Sequence, residues 1–176
     1  MKLVTFSVIG ILLLVLAIIS APSQIPATVL SDSSLRAFLT KFEEGISRYI
    51  NGDPTLWKQN ASRRDDVTIM GAWGGYEKGW SEVGPRYDWA AARFRPSGAK
   101  VKVEYLSSEV SGDLAYTVAI ERREVRLSDQ DKPAVMALRV THIMRKENGT
   151  WKLVHRHADP ITVKTAPATV LQRSGN

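Results

Sequence analysis

THIMRKENGTWKLVHRHADP, Thr141–Pro160, is the stretch whose reading decides the fold of this 176-residue chain. Two runs rich in β-formers, Ala134–Arg145 and Thr150–Ala158, flank Asn148-Gly149, the dipeptide that supplies the two positive-φ residues of a tight type I′ hairpin turn. With that pair at the tip, Glu147 opposes Thr150, and every step away from the turn advances one residue on each strand. An uninterrupted ladder therefore sets His142 across from His155 and Val140 across from His157. Side chains alternate between faces with a period of two. One face then carries Leu138, Val140, His142, Met144, Trp151, Leu153, His155 and His157, and the other carries Arg139, Thr141, Ile143, Arg145, Lys152, Val154 and Arg156. This reading puts the histidines on the apolar face and the arginines in water.

These three are the chain's entire histidine complement. An imidazole is costly to bury without a partner, yet it exchanges a proton near neutral pH without help. Gathered on an inner sheet face, the trio predicts a pocket; the competing reading is three satisfied core histidines bonded to Tyr, Asp or Glu. As an enzyme, the chain would use His142 and His155 as an acid/base pair, because neighbouring imidazoles repel when both are protonated and their pKa values move apart. His157, Glu121 and Asp159 would hold or orient a ligand, and Trp73, Tyr105 and Tyr116 would shape the cavity. Cross-strand histidines with Glu121 or Asp159 approach a zinc ligand set, but no close-spaced His/Cys motif accompanies them. No metal and no cofactor is expected.

Outward from the hairpin, everything after Lys100 reads as strand. Val101, Val103 and Tyr105 alternate with charged residues, Ser111-Gly112-Asp113 makes a turn, Leu114–Leu127 forms a long strand, and Ser128–Lys132 turns back into the hairpin. Before Lys100 the period is helical. Leu35, Phe38, Leu39, Phe42, Ile46, Tyr49 and Ile50 recur at steps of three and four behind Asp32, Ser33 and Ser34 as N-cap candidates,. A second short helix is expected over Pro54–Ser62, a strand over Val67–Trp73, and a third helix over Gly79–Phe94 with a defect at Gly84-Pro85. Trp57, Trp80, Trp89 and Trp151 are expected in the core and Trp73, beside Gly71, Gly74 and Gly75, at a rim. Helices followed by antiparallel strands define an α+β fold: three N-terminal helices packed on a strongly curved, mostly antiparallel sheet that leaves a conical cavity.

The ends differ from this middle. After Met1-Lys2, Leu3–Ser20 carries no charge and precedes Ala21-Pro22-Ser23, so residues 1–23 read as a cleavable export signal or an N-terminal membrane anchor. A linker over 24–32, a domain over 33–160 and a loose tail over 161–176 follow. The protein is expected to be exported, either periplasmic or secreted, or held at a membrane only through an uncleaved N-terminal segment. With no cysteine, disulfides, thiolate zinc sites and cysteine catalysis are excluded. The net charge of +6 is dispersed and interleaved with acids, as in Glu121-Arg122-Arg123-Glu124, whereas nucleic-acid footprints cluster their charge with stacking aromatics. No nucleic-acid partner is expected. Asn60-Ala-Ser and Asn148-Gly-Thr match the glycosylation acceptor pattern, which matters only in a glycosylating host.

The order α-α-β-α-β-β-β-β, Asn51-Gly52-Asp53 after the first helix, Asp66-Val-Thr-Ile-Met-Gly-Ala, Ser111-Gly-Asp-Leu-Ala-Tyr and the closing hairpin together resemble the nuclear transport factor 2-like superfamily. The similarity is to its SnoaL-like and ketosteroid-isomerase-like bacterial branch and covers about Ser33 to Asp159. It implies the conical α+β fold and a homodimer formed through the outer sheet face. In the ketosteroid isomerases a general-base aspartate would correspond to about Gly71, an oxyanion tyrosine to about Gly45, and a protonated aspartic acid to His142. Two of those three positions can move no proton here. The expectation is an exported domain whose histidine-containing pocket binds a small molecule. The alternatives are a dehydratase, cyclase or isomerase using His142 and His155, or a dimeric association module.

Overall fold

The computed structural model describes residues 32–162 and Lys164. The proposed signal or anchor at 1–23, nearly all of the linker and most of the tail lie outside the described residues. Two helices come first, α1 (Ser33–Tyr49) and α2 (Thr55–Asn60), then the short strands β1 (Thr68–Met70) and β2 (Glu77–Lys78), then helix α3 (Trp80–Ala91). Five strands complete the domain: β3 (Phe94–Arg95), β4 (Lys102–Ser111), β5 (Leu114–Leu127), β6 (Ala134–Glu147) and β7 (Thr150–Pro160). The sheet runs β2-β1-β7-β6-β5-β3, and β4 also pairs with β5. All pairings are antiparallel except β1 with β7. Among the described residues, no helix is long and apolar enough to cross a membrane.

Helix α1 forms where the apolar spacing placed it. Asp32 caps it by accepting from the Leu35 amide at 2.9 Å, which satisfies one of the unpaired donors of the first turn. Its apolar stripe, Leu35, Leu39, Phe42, Ile46 and Ile50, is buried. Against this stripe pack Trp57 from α2, Val83 and Tyr87 from α3, and Met144, Trp151 and Leu153 from the hairpin. Helix α3 runs through Gly84-Pro85 without a break. A Cβ at Gly84 would come within 3.3 Å of the Trp80 ring, so that glycine lets the indole lie along its own helix. The strand expected over Val67–Trp73 contracts to Thr68–Met70, and β2 and β3 had no counterpart in the reading. Two-residue strands carry no periodicity to read; they exist because β1 and β5 offer them an edge.

The hairpin tip is as expected: Asn148 and Gly149 have φ of 52° and 77°, and Glu147 opposes Thr150. The ladder beyond it is not uninterrupted. Met144 faces Leu153 while Ile143 faces His155, so Val154 is an extra residue, a β-bulge. One inserted residue reverses the facing of everything that follows. His142 therefore opposes Arg156, and Thr141 opposes His157. His142 and Arg156 are buried on the inner face, whereas His155 is half-buried and His157 exposed on the outer one. The expected sharing of one face by three histidines, with Arg156 in water, is corrected accordingly.

Phe42 ties the layers together. Its ring lies 4.8 Å from Trp57 and 4.9 Å, edge-on, from His142. Phe42→Ala should cost about 3–5 kcal/mol, read as a lowered urea midpoint with an unchanged slope; a loss below about 1 kcal/mol would show that α1 does not anchor the sheet.

Candidate functional site

The inner face of β5 presents Thr117, Ala119, Glu121 and Arg123 at alternate positions, all buried. Glu121 is wholly enclosed. Arg156 starts level with His142 and Thr117 and reaches diagonally across β6 to it, placing Nη1 2.8 Å from Oε1 and Nη2 2.8 Å from Oε2. Arg123, two residues along the same strand, donates from Nη1 to Oε2 at 2.6 Å. A carboxylate held by a bidentate fork and a third N–H is a strong arrangement. Burial by itself would raise the Glu121 pKa, but Arg156 and then Arg123 outweigh it and hold the carboxyl far below the usual carboxylate range,.

His142 completes the network. Arg156 Nη1 donates to its Nε2 at 2.5 Å, and its Nδ1 lies 3.2 Å from the Thr117 hydroxyl. Because an arginine N–H can only donate, Nε2 must be the acceptor and the ring is neutral, with its proton on Nδ1. The 3.6 Å approach of Nε2 to Glu121 is thus no ion pair. Burial, reinforced by Arg156, pushes His142 down to about 3. Its role in the fold is to accept from Arg156.

Beside this network lies a cavity of about 60 Å³. Tyr49, Ile69, Phe94, Met136 and Leu138 form its apolar wall, and Trp73, 41 % exposed, stands at its rim. Arg86, Arg123 and Arg156 supply the polar lining. Gly71 is there too: a Cβ on it would lie 3.4 Å from Arg86 Nη2. His142 is not part of the lining; it touches Arg156, which is.

The expected site residues are thus dispersed. Trp73 stands at the cavity rim, packed on Phe94 with centroids 5.4 Å apart. Glu121 is beneath the cavity, inaccessible. Tyr105 points inward but donates its hydroxyl to Glu43 at 2.7 Å. Tyr116 is on the outer face, 3.3 Å from Ser107. Asp159 pairs with Arg139 at 2.6 Å, away from the cavity. His155 has the Thr68 hydroxyl 2.8 Å from Nδ1 and is separated from His142 by the sheet. Trp57 and Trp151 are in the core, but Trp89 is 40 % exposed, with the guanidiniums of Arg86 and Arg93 at 4.4 Å and 3.4 Å from its ring centre. The arginines are what the reading missed. One signal was present: the apolar parity of β7 changes between Leu153 and Ala158, as an inserted residue requires.

A family model described as the SnoaL-like domain matches residues 49–162. The chain belongs to the SnoaL-like domain family. No curated protein sequence matches this SnoaL-like chain. Among solved structures, a nuclear transport factor 2-like superfamily protein from Salmonella enterica superposes with TM-score 0.60 at 22 % identity, over 75 % of this chain and 96 % of that one. A ketosteroid isomerase-like protein from Erwinia carotovora gives 0.59 at 15 % identity, over 74 % and 95 %. A proposed dehydratase of the same superfamily from Streptomyces avermitilis gives 0.60 at 18 %, over 76 % and 98 %. At such identities the likeness establishes the fold of this SnoaL-like domain and nothing of its chemistry.

Two outcomes follow from the buried network. Glu121→Gln leaves two enclosed guanidiniums without their counter-charge and should cost about 3–5 kcal/mol by urea denaturation; a neutral effect would show that the carboxylate is dispensable. For His142 the folded pKa of about 3 lies below the unfolded 6.5, so the unfolded state binds the extra proton between them. Its contribution is complete above pH 6.5 and is lost as pH falls towards 3, at no more than about 1.4 kcal/mol per pH unit. Glu121 acts in the same sense lower down, with its contribution present above 4.5 and lost as pH falls through its depressed folded value. Comparing urea midpoints at about pH 7 and about pH 5, His142→Gln should flatten most of the wild-type decline; an equal decline in both proteins would assign it elsewhere.

Proposed function

We propose that this SnoaL-like domain binds a small molecule in the conical cavity between α3, the Gly71–Trp73 loop and the inner face of the sheet, without chemical turnover there. The observation that carries the reading is the cavity itself: a largely apolar recess, rimmed by an aromatic ring and floored by a rigid charged network, has the composition of ligand sites. Among the described residues that line it, the titratable side chains are Tyr49 and three arginines. Burial pushes the Tyr49 phenol up, and arginines stay protonated, so no group facing the cavity exchanges a proton near neutrality. Acid/base work by His142 with His155 is disfavoured because the sheet stands between them. Export from the cytoplasm belongs to the same reading and is supported by the charge-free run after Lys2.

The test is a panel of small carbonyl and hydroxyl compounds followed by NMR on the full chain. Binding should move the signals of Trp73, Phe94 and Arg123, and Ala72→Phe, which fills the recess, should abolish those changes. Shifts confined to the outer face around His155 and His157, or no shifts at all, would refute the cavity.

The outer face supports homodimerisation as a companion proposal. Leu106 is 58 %, Ile143 38 % and Tyr116 36 % exposed, with Val118 and Ile120 half-buried beside them. A cluster of this kind marks a contact surface. Light scattering should give twice the chain mass, and Ile143→Asp should return it to one; a wild-type protein of single mass would end the proposal.

A further inference from the structure

The charge around the cavity indicates what class of molecule it takes. Arg123 and Arg156 share a single carboxylate, Glu121, and the counter-charge of Arg86 is Glu77 at 3.6 Å. Three guanidiniums thus face two carboxylates, which leaves one positive charge beside a mostly apolar recess. The hydrogen bonding is uneven in the same place. Arg123 has a side chain only 6 % exposed; Nη1 donates to Glu121, and Nη2 has the Met136 thioether at 3.6 Å, a weak acceptor. Its Nε is buried and has no hydrogen-bond partner among the described residues. A buried guanidinium donor without an acceptor is costly, and Arg123 lines the cavity.

Resting on the cavity reading above, we propose that the ligand is a small carboxylic acid bound as its monoanion. The carboxylate accepts from Arg123 and Arg86, and a short apolar or aromatic body lies against Phe94, Met136 and Leu138. One excess positive charge matches one negative charge; a phosphate dianion would overshoot it and would bring little to the apolar wall. The volume sets the scale. At about 60 Å³, with roughly 10–15 Å³ needed for each water-sized occupant and about 30 Å³ of liquid volume per water, the recess suits a single small ring or short chain bearing a carboxylate and is too small to enclose a steroid-sized ring system.

The experiment titrates the full chain with benzoate, its neutral isostere benzamide, and inorganic phosphate, by calorimetry and by the arginine Nε–Hε signals. Benzoate should bind about tenfold or more tightly than benzamide, and the Arg123 Nε–Hε signal should move. Arg86→Gln should weaken benzoate about tenfold while leaving benzamide unchanged. Arg123→Lys, which keeps the charge but removes Nε, supplies a second variant should Arg86→Gln unfold the α3 end. Equal binding of benzamide and benzoate would overturn the anion while sparing the cavity reading. Absence of binding by either would overturn both. Phosphate binding as tightly as benzoate would overturn the apolar body, and unchanged benzoate affinity in both variants would overturn the arginine assignment.

Discussion

Glu121 is an ionised carboxylate with no access to water, and a charge in that position persists only if its surroundings are built around it. Two guanidiniums do this, and each imposes a demand on the chain. Arg123 must lie two residues further along the same strand face. Arg156 must point inward from a strand two positions away and be long enough to cross β6 diagonally. The inward pointing of Arg156 follows from the bulge at Val154. His142 then has to be a neutral acceptor, since Arg156 donates to it, and the Thr117 hydroxyl accepts a hydrogen bond from the remaining imidazole N–H. Phe42 and Trp57 close the network from the helical side, with the Arg156 guanidinium 5.4 Å from the centre of the Trp57 ring. Helix α1, helix α2 and three strands are thereby fixed relative to one another by one buried charge. Exchanging such a cluster for hydrocarbon would often stabilise a protein, so stability alone does not account for it; its position at the base of the cavity does.

The sequence disclosed the fold more fully than the site. Periodicity of three and four along Leu35–Ile50 and of two along β4 to β7 gave the α+β order, and Asn148-Gly149 gave the hairpin tip with its register at the turn. These are local signals, each carried by neighbouring residues. The bulge is different in kind: it depends on how β7 meets β1 on one side and β6 on the other, and the only trace of it in the chain is the change of apolar parity between Leu153 and Ala158. One unread residue moved Arg156 from water to the core and moved His155 and His157 the opposite way, which is why the hairpin was recognised and its faces were not. Glu121 was singled out as a group that would hold or orient a ligand, but its partners could not be named while the facing of β7 was unknown.

The sheet's two faces consequently carry different chemistry. Inside, Glu121 and His142 are held in fixed protonation states until well into the acid range. Outside, His155 is half-buried beside Thr68, with burial and the neighbouring His157 both lowering its pKa. The apolar positions Ile143, Tyr116 and Leu106 are exposed on that same outer face. The floor of the cavity, with Glu121 ionised and His142 neutral, keeps one electrostatic state across the neutral range.

That constancy bears on catalysis. A general acid or base must exchange a proton at the substrate and do so near the working pH. To protonate His142 at Nε2, the Arg156 bond to it would have to break, which would also loosen the bidentate hold on Glu121. The network therefore resists the very change of state that proton transfer requires. At the place where the ketosteroid-isomerase general base would fall, Gly71 offers no titratable atom, and the side chain nearest to it is Arg86, a guanidinium that can only donate,. A cavity floored by fixed donors and walled by hydrocarbon fits the proposed binding role.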